Sequence, residues 1–218
     1  AVERGAYEYV PKPFDLDELG VRLWRARRAR SAKRGEQHQR EQRVENADGF
    51  FFGSALAGIE KQLEKILAAD RRAQGLLPPV LIEGETGTGK TTLARWLHRR
   101  GPRSDEPLVE VNCSSLPETL AESELFGHER GAFTDAKEAR IGLLEAAEGG
   151  TLFLDELPSL SLGIQAKLLK AVEDRTIRRV GGSRMLPVDA RIVAATNSDL
   201  RVLVASGRFR EDLLHRLD

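Results

Sequence analysis

Hydrophobic residues recur along the chain with two different spacings, and the change of spacing outlines the predicted elements. Short apolar runs of strand length lie at 80–83, 108–112, 151–154 and 191–195. Segments with helical spacing lie at 90–100, 116–125, 164–173 and, with a break at Gly207, 201–217. Because strands that alternate with helices form parallel sheets covered on both faces, this order predicts an α/β fold with a parallel sheet flanked by helices.

The first 49 residues follow a different pattern. Between residues 16 and 26 apolar side chains step by three and four, which predicts a helix with one narrow apolar seam that suits pairing with another helix. Residues 22–43 hold nine basic side chains against two acidic ones, a charge run typical of a solvated surface, with contact to DNA as the alternative. A cluster of turn-forming residues at 46–49 then predicts a domain boundary near residue 49.

Composition and charge restrict the class of protein. With 218 residues, 40% of them hydrophobic and 31% charged, the chain suits one substantial domain with an appendage and excludes a disordered tail or a disulfide scaffold. Lys plus Arg and Asp plus Glu both number 34, so no global field draws it to nucleic acid or an anionic membrane. A single cysteine, Cys113, and the lack of an apolar signal or membrane-spanning run predict a soluble, cytoplasmic protein. A start without Met and a stop after a helical pattern suggest a fragment of a longer chain.

A phosphate-binding loop follows the first predicted strand. Residues 84–91 match G-x-x-x-x-G-K-[ST] between a strand and a helix, a context in which a chance glycine-rich turn is the weaker interpretation. In such a loop backbone N–H groups surround phosphate oxygens, Lys90 bridges the β and γ phosphates, and the Thr91 hydroxyl binds Mg²⁺. The predicted ATP-binding residues are Gly84, Glu85, Thr86, Gly87, Thr88, Gly89, Lys90, Thr91 and Thr92.

Two acidic residues end the predicted strand 151–154. Asp155 is expected to hold Mg²⁺ through its water shell, and Glu156 to polarise the attacking water. That division favours a hydrolase over a small-molecule kinase. An unrelated P-loop transporter ATPase is a further alternative, which this pair and the paired arginines described below also oppose. Acids are common where strands leave the core, so the pair gains its meaning from the phosphate loop.

Longer motifs occur in order between residues 52 and 218: GETGTGK, ESELFGHERGAFTDA, GGTLFLDE, QAKLLKAVEDRTIRRVGGS, DARIVAATN and GRFREDLLHRL. Together they resemble the AAA+ domain of the sigma-54-dependent transcription activators, the NtrC-like bacterial enhancer-binding proteins. The resemblance implies an AAA+ P-loop NTPase that forms rings, usually hexamers, and uses ATP hydrolysis to open closed complexes of sigma-54 RNA polymerase. It makes 50–218 the α/β subdomain, with the lid and a domain for enhancer DNA expected after residue 218.

The same resemblance implies further catalytic residues. Asn112 resembles the switch residue that restrains Glu156 according to nucleotide state, with a capping asparagine at a strand end as the alternative. Thr196 and Asn197 resemble the sensor I position, where a polar side chain helps to orient water; an ordinary turn is the alternative.

Two arginines near the end of the chain resemble the family's paired arginine fingers. Arg210 and Arg216 would reach the γ-phosphate bound to a neighbouring subunit, a task that suits the guanidinium fork. Catalysis would then depend on assembly. Surface arginines on an exposed helix are the alternative.

One segment occupies the place of the family's sigma-54-contacting loop, GAFTGA, and consists of Gly131, Ala132, Phe133, Thr134, Asp135 and Ala136. It departs from the family at Asp135, which brings a charge and a narrower conformational range than glycine. Phe133 and Thr134, which would make the contacts, are intact. Sigma-54 engagement is therefore still expected. In the alternative function, Asp135 has ended this contact and the domain is an ATP-binding regulatory and oligomerisation module.

Residues 1–30 resemble the final strand and helix of a response-regulator receiver domain, through the word GAYEYVPKPFDLDEL. The resemblance makes Lys12 the residue that contacts the phosphoryl group, Lys12–Pro13 a candidate cis bond, and Tyr9 the aromatic switch. A plain apolar strand and turn is the alternative. Residues 31–49 would be a basic helical linker. The chain is thus expected to belong to a two-component system, with a cognate histidine kinase acting on the receiver domain.

Overall fold

The computed structural model describes residues 52–73, 77–134 and 136–217. The predicted receiver remnant with Tyr9 and Lys12, the predicted linker, the predicted boundary near residue 49, and Asp135 all lie outside the described residues. Leu56–Asp218 form one compact unit.

The described residues alternate between helices and strands. In chain order the elements are α1 (Ala57–Arg72), β1 (Val80–Glu83), α2 (Lys90–Arg100), β2 (Leu108–Asn112), α3 (Glu118–Phe126), β3 (Gly127–His128), β4 (Arg140–Ile141), α4 (Leu143–Ala146), β5 (Thr151–Asp155), α5 (Leu162–Glu173), β6 (Thr176–Arg178), β7 (Met185–Pro187), β8 (Arg191–Thr196), α6 (Leu200–Ala205) and α7 (Glu211–Leu217). Among the helices in these ranges, none has the length and apolar character needed to cross a bilayer.

Four strands form a parallel sheet in the order β1-β8-β5-β2. The central strands β5 and β8 are buried almost throughout, which explains why they appear in the sequence as continuous apolar runs. Because all four strands run the same way, their carboxyl ends meet at one edge of the sheet. The register there pairs Asn112 with Asp155, and Glu83 with Thr196.

Helices cover both faces of this sheet. Leu152, Leu154 and Ile192 belong to the main core cluster, which α3, α5 and α7 complete. Phe153 and Val193 alternate to the opposite face, where α2 packs against β1, β5 and β8. The predicted α/β class, a parallel sheet flanked by helices, is therefore confirmed.

Two predicted helices differ in detail from the observed ones. The helix predicted at 116–125 begins at Glu118, because a residue that precedes proline avoids helical geometry and Pro117 takes the cap position. The segment 201–217 is two helices, and Asp199 caps the first by accepting hydrogen bonds from the N–H groups of Arg201 and Val202. Two short antiparallel pairs, β3 with β4 and β6 with β7, were not predicted.

At the amino ends of the strands, a buried ion pair joins α1 to the sheet. Arg191 at the start of β8 bonds Asp70 near the end of α1, and their side chains are only 3% and 1% exposed. Burial lowers the pKa of Arg191, and the charge of Asp70 opposes that shift. Arg103 bonds the Gly150 and Asp189 carbonyls nearby, which fixes the same end of the sheet.

Candidate active site

The phosphate loop joins β1 to α2 in the geometry that anion binding requires. Gly87 and Gly89 both have φ of +85°, a region that favours glycine, and the loop ends where α2 begins at Lys90. The Thr88 hydroxyl donates to the Glu85 carbonyl at 2.8 Å and closes the turn. A glycine-containing turn that leads into a helix N-terminus directs N–H groups and the positive end of the helix dipole at a bound anion.

Lys90 lies across this loop. Its Nζ donates to the carbonyl oxygens of Gly84 and Glu85 at 2.8 and 3.0 Å, and the residue is only 7% exposed. In the described part of the chain no carboxylate lies within ion-pair distance of this ammonium group. A nearly buried cation that bonds only carbonyls is suited to a polyanionic ligand.

The two acids follow at the carboxyl end of β5. Asp155 Oδ1 accepts a hydrogen bond from the Glu156 N–H at 3.0 Å. Glu156 has φ of 52° and ψ of 49°, left-handed values that are strained for a residue with a side chain, and a short 3₁₀ turn, Leu157–Ser159, follows it. Strain of this kind concentrates at functional sites, because the surrounding structure must hold it in place.

A cleft of about 570 Å³ opens at this edge of the sheet. Its lining includes Glu156, Asn112, Asn197, Ser114 and Arg208. Three predicted catalytic residues are therefore brought together. Arg208 has no role predicted from the sequence, although it lies inside the motif GRFREDLLHRL. Its position on the cleft wall depends on the turn between α6 and α7.

The side chain of Asn112 caps the turn that follows β2. Its Oδ1 accepts from the N–H and the hydroxyl of Ser114 at 2.9 and 2.7 Å, at the start of the 3₁₀ turn Cys113–Ser115. The capping role is thus observed in this structure. The predicted restraint on Glu156 in another nucleotide state remains a prediction.

The two sensor candidates differ in where their side chains lie. Thr196 is fully buried, and its Oγ1 accepts from the Ser198 N–H at 3.0 Å, which closes the turn after β8. Asn197 instead points toward the phosphate loop, where its Nδ2 donates to Thr86 Oγ1 at 3.3 Å. Asn197 is therefore the member of the pair whose side chain contacts the phosphate loop, whereas Thr196 accepts from the Gly84 N–H through its backbone carbonyl at 3.1 Å.

Neither predicted arginine finger lines the cleft of its own chain. Arg210 binds Asp212 through two hydrogen bonds of 2.9 and 2.6 Å, and this contact holds the pKa of the Asp212 carboxyl below its usual value. Arg216 pairs with Glu173 at the end of α5. Both pairs are solvent-exposed, so they break at little cost in free energy.

The segment around Phe133 is packed on a second loop, the connection between β6 and β7. The N–H of Glu129 donates to the Val180 carbonyl at 3.0 Å, and the N–H of Val180 donates to the Gly127 carbonyl at 2.9 Å. A side-chain carbon placed on Gly181 would lie 2.7 Å from the Ala132 methyl group. Backbone hydrogen bonds and the close approach of Gly181 to Ala132 therefore join the two loops.

Phe133 itself is 39% exposed and rests against a buried histidine. The rings of Phe133 and His128 meet edge to face, with centroids 5.0 Å apart. His128 is fixed by Ser123 Oγ at 2.6 Å from Nδ1 and by donation from Nε2 to the Glu138 carbonyl at 3.0 Å. The Phe133 ring is thus partly exposed to solvent and packs on a histidine that two hydrogen bonds hold in place.

The donor set at this edge suits magnesium. Among the described residues, no group of three or more His, Cys, Asp or Glu side chains could hold a metal ion alone. Mg²⁺ is usually bound by one or two protein oxygens together with phosphates and water, and the Thr91 hydroxyl and Asp155 carboxylate are oxygen donors of this kind. The residues present therefore fit a metal that arrives with the nucleotide.

Fold and loop together define a P-loop nucleotide-binding domain of the AAA+ type. The family model described as the Sigma-54 interaction domain matches residues 56–218, and the chain belongs to that family. Regulatory protein AtoC of Escherichia coli is 44% identical over 221 residues, which cover 100% of this chain and 46% of AtoC. The DNA-binding transcriptional regulator NtrC of Klebsiella pneumoniae is 43% identical over 218 residues, 100% of this chain and 45% of NtrC.

Solved structures agree with this assignment. The crystal structure of NtrX from Brucella abortus superposes on this chain with a TM-score of 0.70 at 33% sequence identity. The aligned region covers 100% of this chain and 46% of NtrX. The same protein in complex with ATP gives a TM-score of 0.67 at 33% identity, over 100% of this chain and 44% of NtrX. The chain thus spans a little under half the length of these relatives. The family predicted from the motifs is confirmed.

Proposed function

We propose that this domain hydrolyses ATP and uses the energy to remodel closed complexes of sigma-54 RNA polymerase, as part of a two-component response regulator. One observation carries the proposal: the phosphate loop, the Asp155–Glu156 pair and Asn112 meet at one edge of a single parallel sheet. Ligands of open α/β sheets bind at the carboxyl ends of their strands. That arrangement matches the needs of phosphoryl transfer to water.

Each group at this edge has a separate task. The loop N–H groups and Lys90 bind the β and γ phosphates, and Glu156 accepts a proton from the attacking water. Mg²⁺, held by Thr91 and Asp155, would neutralise charge on the phosphoryl group. Asn197, whose side chain contacts the loop at Thr86, would orient the water near the γ phosphate.

Hydrolysis is proposed to require a ring of subunits, a hexamer. Arg210 and Arg216 lie on the surface, outside the cleft of their own chain. In a ring each would leave its acidic partner and contact the γ phosphate of the neighbouring copy. Stabilisation of the phosphoryl charge by an arginine from a second subunit is a strong accelerating term in such reactions.

The segment 131–136 is the proposed contact with sigma-54. Phe133 is exposed and packs edge to face on His128, and a contact residue needs such exposure. The remaining partners are proposed from the family alone: enhancer DNA through a C-terminal domain, and a cognate histidine kinase through the receiver domain. A cytoplasmic location is proposed on the same ground. A second candidate function follows from Asp135 in the sequence, namely a regulatory ATP-binding module that no longer engages sigma-54.

Phosphate release by the purified full chain tests the hydrolase. Glu156→Gln is expected to keep nucleotide binding and to lose release of phosphate, because the water loses its base. The control is Glu64→Gln, the same change at an exposed position of α1. Equal activity in Glu156→Gln and the wild type would refute the assignment.

A trapped complex with sigma-54 tests whether the domain acts on sigma-54 during ATP hydrolysis. The full chain is mixed with sigma-54, ADP and aluminium fluoride, and the mixture is run on a native gel. A complex that disappears with Phe133→Ala supports remodelling of sigma-54 polymerase. The alternative function, a regulatory module, is supported by a different result. In that case the wild type releases phosphate but forms no complex with sigma-54, and the Asp135→Gly variant does form the complex.

A further inference from the structure

We propose that Gln165 is a positioning residue for the candidate finger Arg210. Its side chain fixes the Arg210 backbone relative to the segment that follows Glu156. The inference rests on the proposed function, because it requires Arg210 to act on the nucleotide of a neighbouring copy. It assigns a role to a residue of α5 that lies outside the cleft.

The Gln165 side chain is fully buried, with 0% exposure, and both ends of its amide are hydrogen-bonded. Its Nε2 donates to the Leu160 carbonyl at 2.8 Å and to the Arg208 carbonyl at 3.3 Å. Its Oε1 accepts from the backbone N–H of Arg210 at 2.9 Å. A buried amide that is bonded through both its oxygen and its nitrogen is specified in one orientation, since reversing it would place the NH₂ group against the Arg210 N–H and the oxygen against two carbonyls.

These contacts join two segments of the proposed reaction. Leu160 ends the short turn that follows Glu156, and the N–H of Ser159 in that turn donates to the Glu156 carbonyl at 3.0 Å. Arg210 directly precedes α7. One side chain therefore connects the segment after the acid of its own site with the backbone from which the finger projects.

Contacts besides those of Gln165 also hold the segment around Arg210: the Arg210 carbonyl accepts from the Leu214 N–H at 3.1 Å, and Leu213 and Leu217 of α7 pack in the core cluster with α5. Phe209 is 2% exposed, and the N–H groups of Arg208 and Phe209 donate to the Leu203 carbonyl at 2.8 and 3.2 Å. These contacts hold the turn between α6 and α7 to α6. The Gln165 Oε1 atom accepts the N–H of Arg210 itself and so fixes the backbone at this one position to α5. Its loss is expected to leave the domain folded and to displace the finger.

The expected effect of losing Gln165 is a lower rate of catalysis with folding and nucleotide binding unchanged. Gln165→Leu removes all three bonds with little change in volume, and we expect kcat for phosphate release to fall by about 10- to 100-fold, as for a misplaced catalytic group. The affinity for ATP is expected to stay at the wild-type value, because the phosphate loop is untouched. Gln62→Leu, the same change at an exposed position of α1, is the control and is expected to behave as wild type.

Mixing two impaired full-length variants separates a positioning role from general damage. Gln165→Leu keeps its own nucleotide site and lacks a placed finger, whereas Lys90→Ala lacks a nucleotide site and keeps its finger. In an equal mixture one interface in four would combine an intact site with an intact finger, so about a quarter of the wild-type rate should return. No recovery would mean that Gln165 acts on its own site or only on folding, and the inference would be overturned.

The pair Arg210→Ala with Lys90→Ala is the reference. Recovery in the reference pair together with failure for Gln165→Leu overturns the inference and leaves the proposed ring intact. Failure of the reference pair itself overturns the proposal that Arg210 acts between subunits. If Gln165→Leu does not fold, Gln165→Met takes its place, because it also removes the bonds to Leu160, Arg208 and Arg210 and keeps an unbranched, uncharged side chain of similar volume. Its kcat should then be lowered and should recover in the same mixture; absence of recovery counts against the inference as before.

Discussion

Asn112 and Asp155 are register partners at the carboxyl ends of β2 and β5. One side chain is an amide that caps the next turn, and the other is the carboxylate proposed to hold magnesium. The amide is therefore a neutral neighbour of a site that already contains two acids. Its observed capping role and its proposed switching role can be separated by charge.

Two substitutions at position 112 are predicted to differ. Asn112→Ala removes the acceptor for Ser114 and should lower the free energy of unfolding by about 1 kcal/mol, the usual cost of a lost cap. Asn112→Asp keeps the acceptor, so it should unfold in urea like the wild type, yet its added charge beside Asp155 should lower the rate of ATP hydrolysis. A full hydrolysis rate in Asn112→Asp would show that the residue is a cap alone.

Release of Arg216 from Glu173 is predicted to favour activity. The pair is exposed, with side chains 59% and 33% accessible, so Glu173→Gln should change the free energy of unfolding by less than about 1 kcal/mol. Since Arg216 must leave this acid to reach a neighbour, half-maximal ATPase activity should move to a lower protein concentration. Glu211→Gln on α7, whose exposed contact is with His215, is the matched control. A lower rate in Glu173→Gln would instead assign to Glu173 the task of orienting the finger.

The thiol of Cys113 is predicted to be unreactive in the folded chain. Burial raises its pKa to about 12, and the negative charge of Asp155 adds to the shift. Because only the thiolate attacks thiol reagents, the residue should remain protonated and unlabelled by a chromogenic disulfide at pH 8. Unfolding in urea should restore rapid labelling. Fast labelling under native conditions would contradict the burial.

The buried pair of Asp70 and Arg191 should be sensitive to removal of one partner. Asp70→Ala leaves an unpaired guanidinium in the interior and should cost about 3–5 kcal/mol in urea unfolding. Replacing both residues with apolar side chains, Asp70→Leu with Arg191→Met, should recover much of that loss. The exposed pair of Arg95 and Glu110 is the comparison, and Glu110→Ala should cost less than about 1 kcal/mol. Equal losses at the two sites would contradict the buried geometry.

The strands and the phosphate loop could be predicted because their signals are local. β5 and β8 are buried on both faces, and the loop carries its pattern in eight consecutive residues, 84–91. Neither signal depends on contacts with distant parts of the chain.

What the sequence did not predict depends on distant contacts. The β3–β4 and β6–β7 pairs have only two or three residues in each strand and are fixed by bonds such as that between Glu129 and Val180. The three bonds of Gln165 join backbone groups up to 45 positions away. No periodicity in the sequence carries that information.

Glu156 also sets a limit on how stable this domain can become. Its left-handed backbone costs about 1–3 kcal/mol for a residue with a side chain, and glycine would adopt the same angles without that cost. Glu156→Gly is therefore the rare substitution expected to relieve strain at this position while ending hydrolysis. Selection for thermal stability alone would therefore favour an inactive domain at this position. Under the proposed function, the Glu156 side chain is retained for catalysis at a cost in stability.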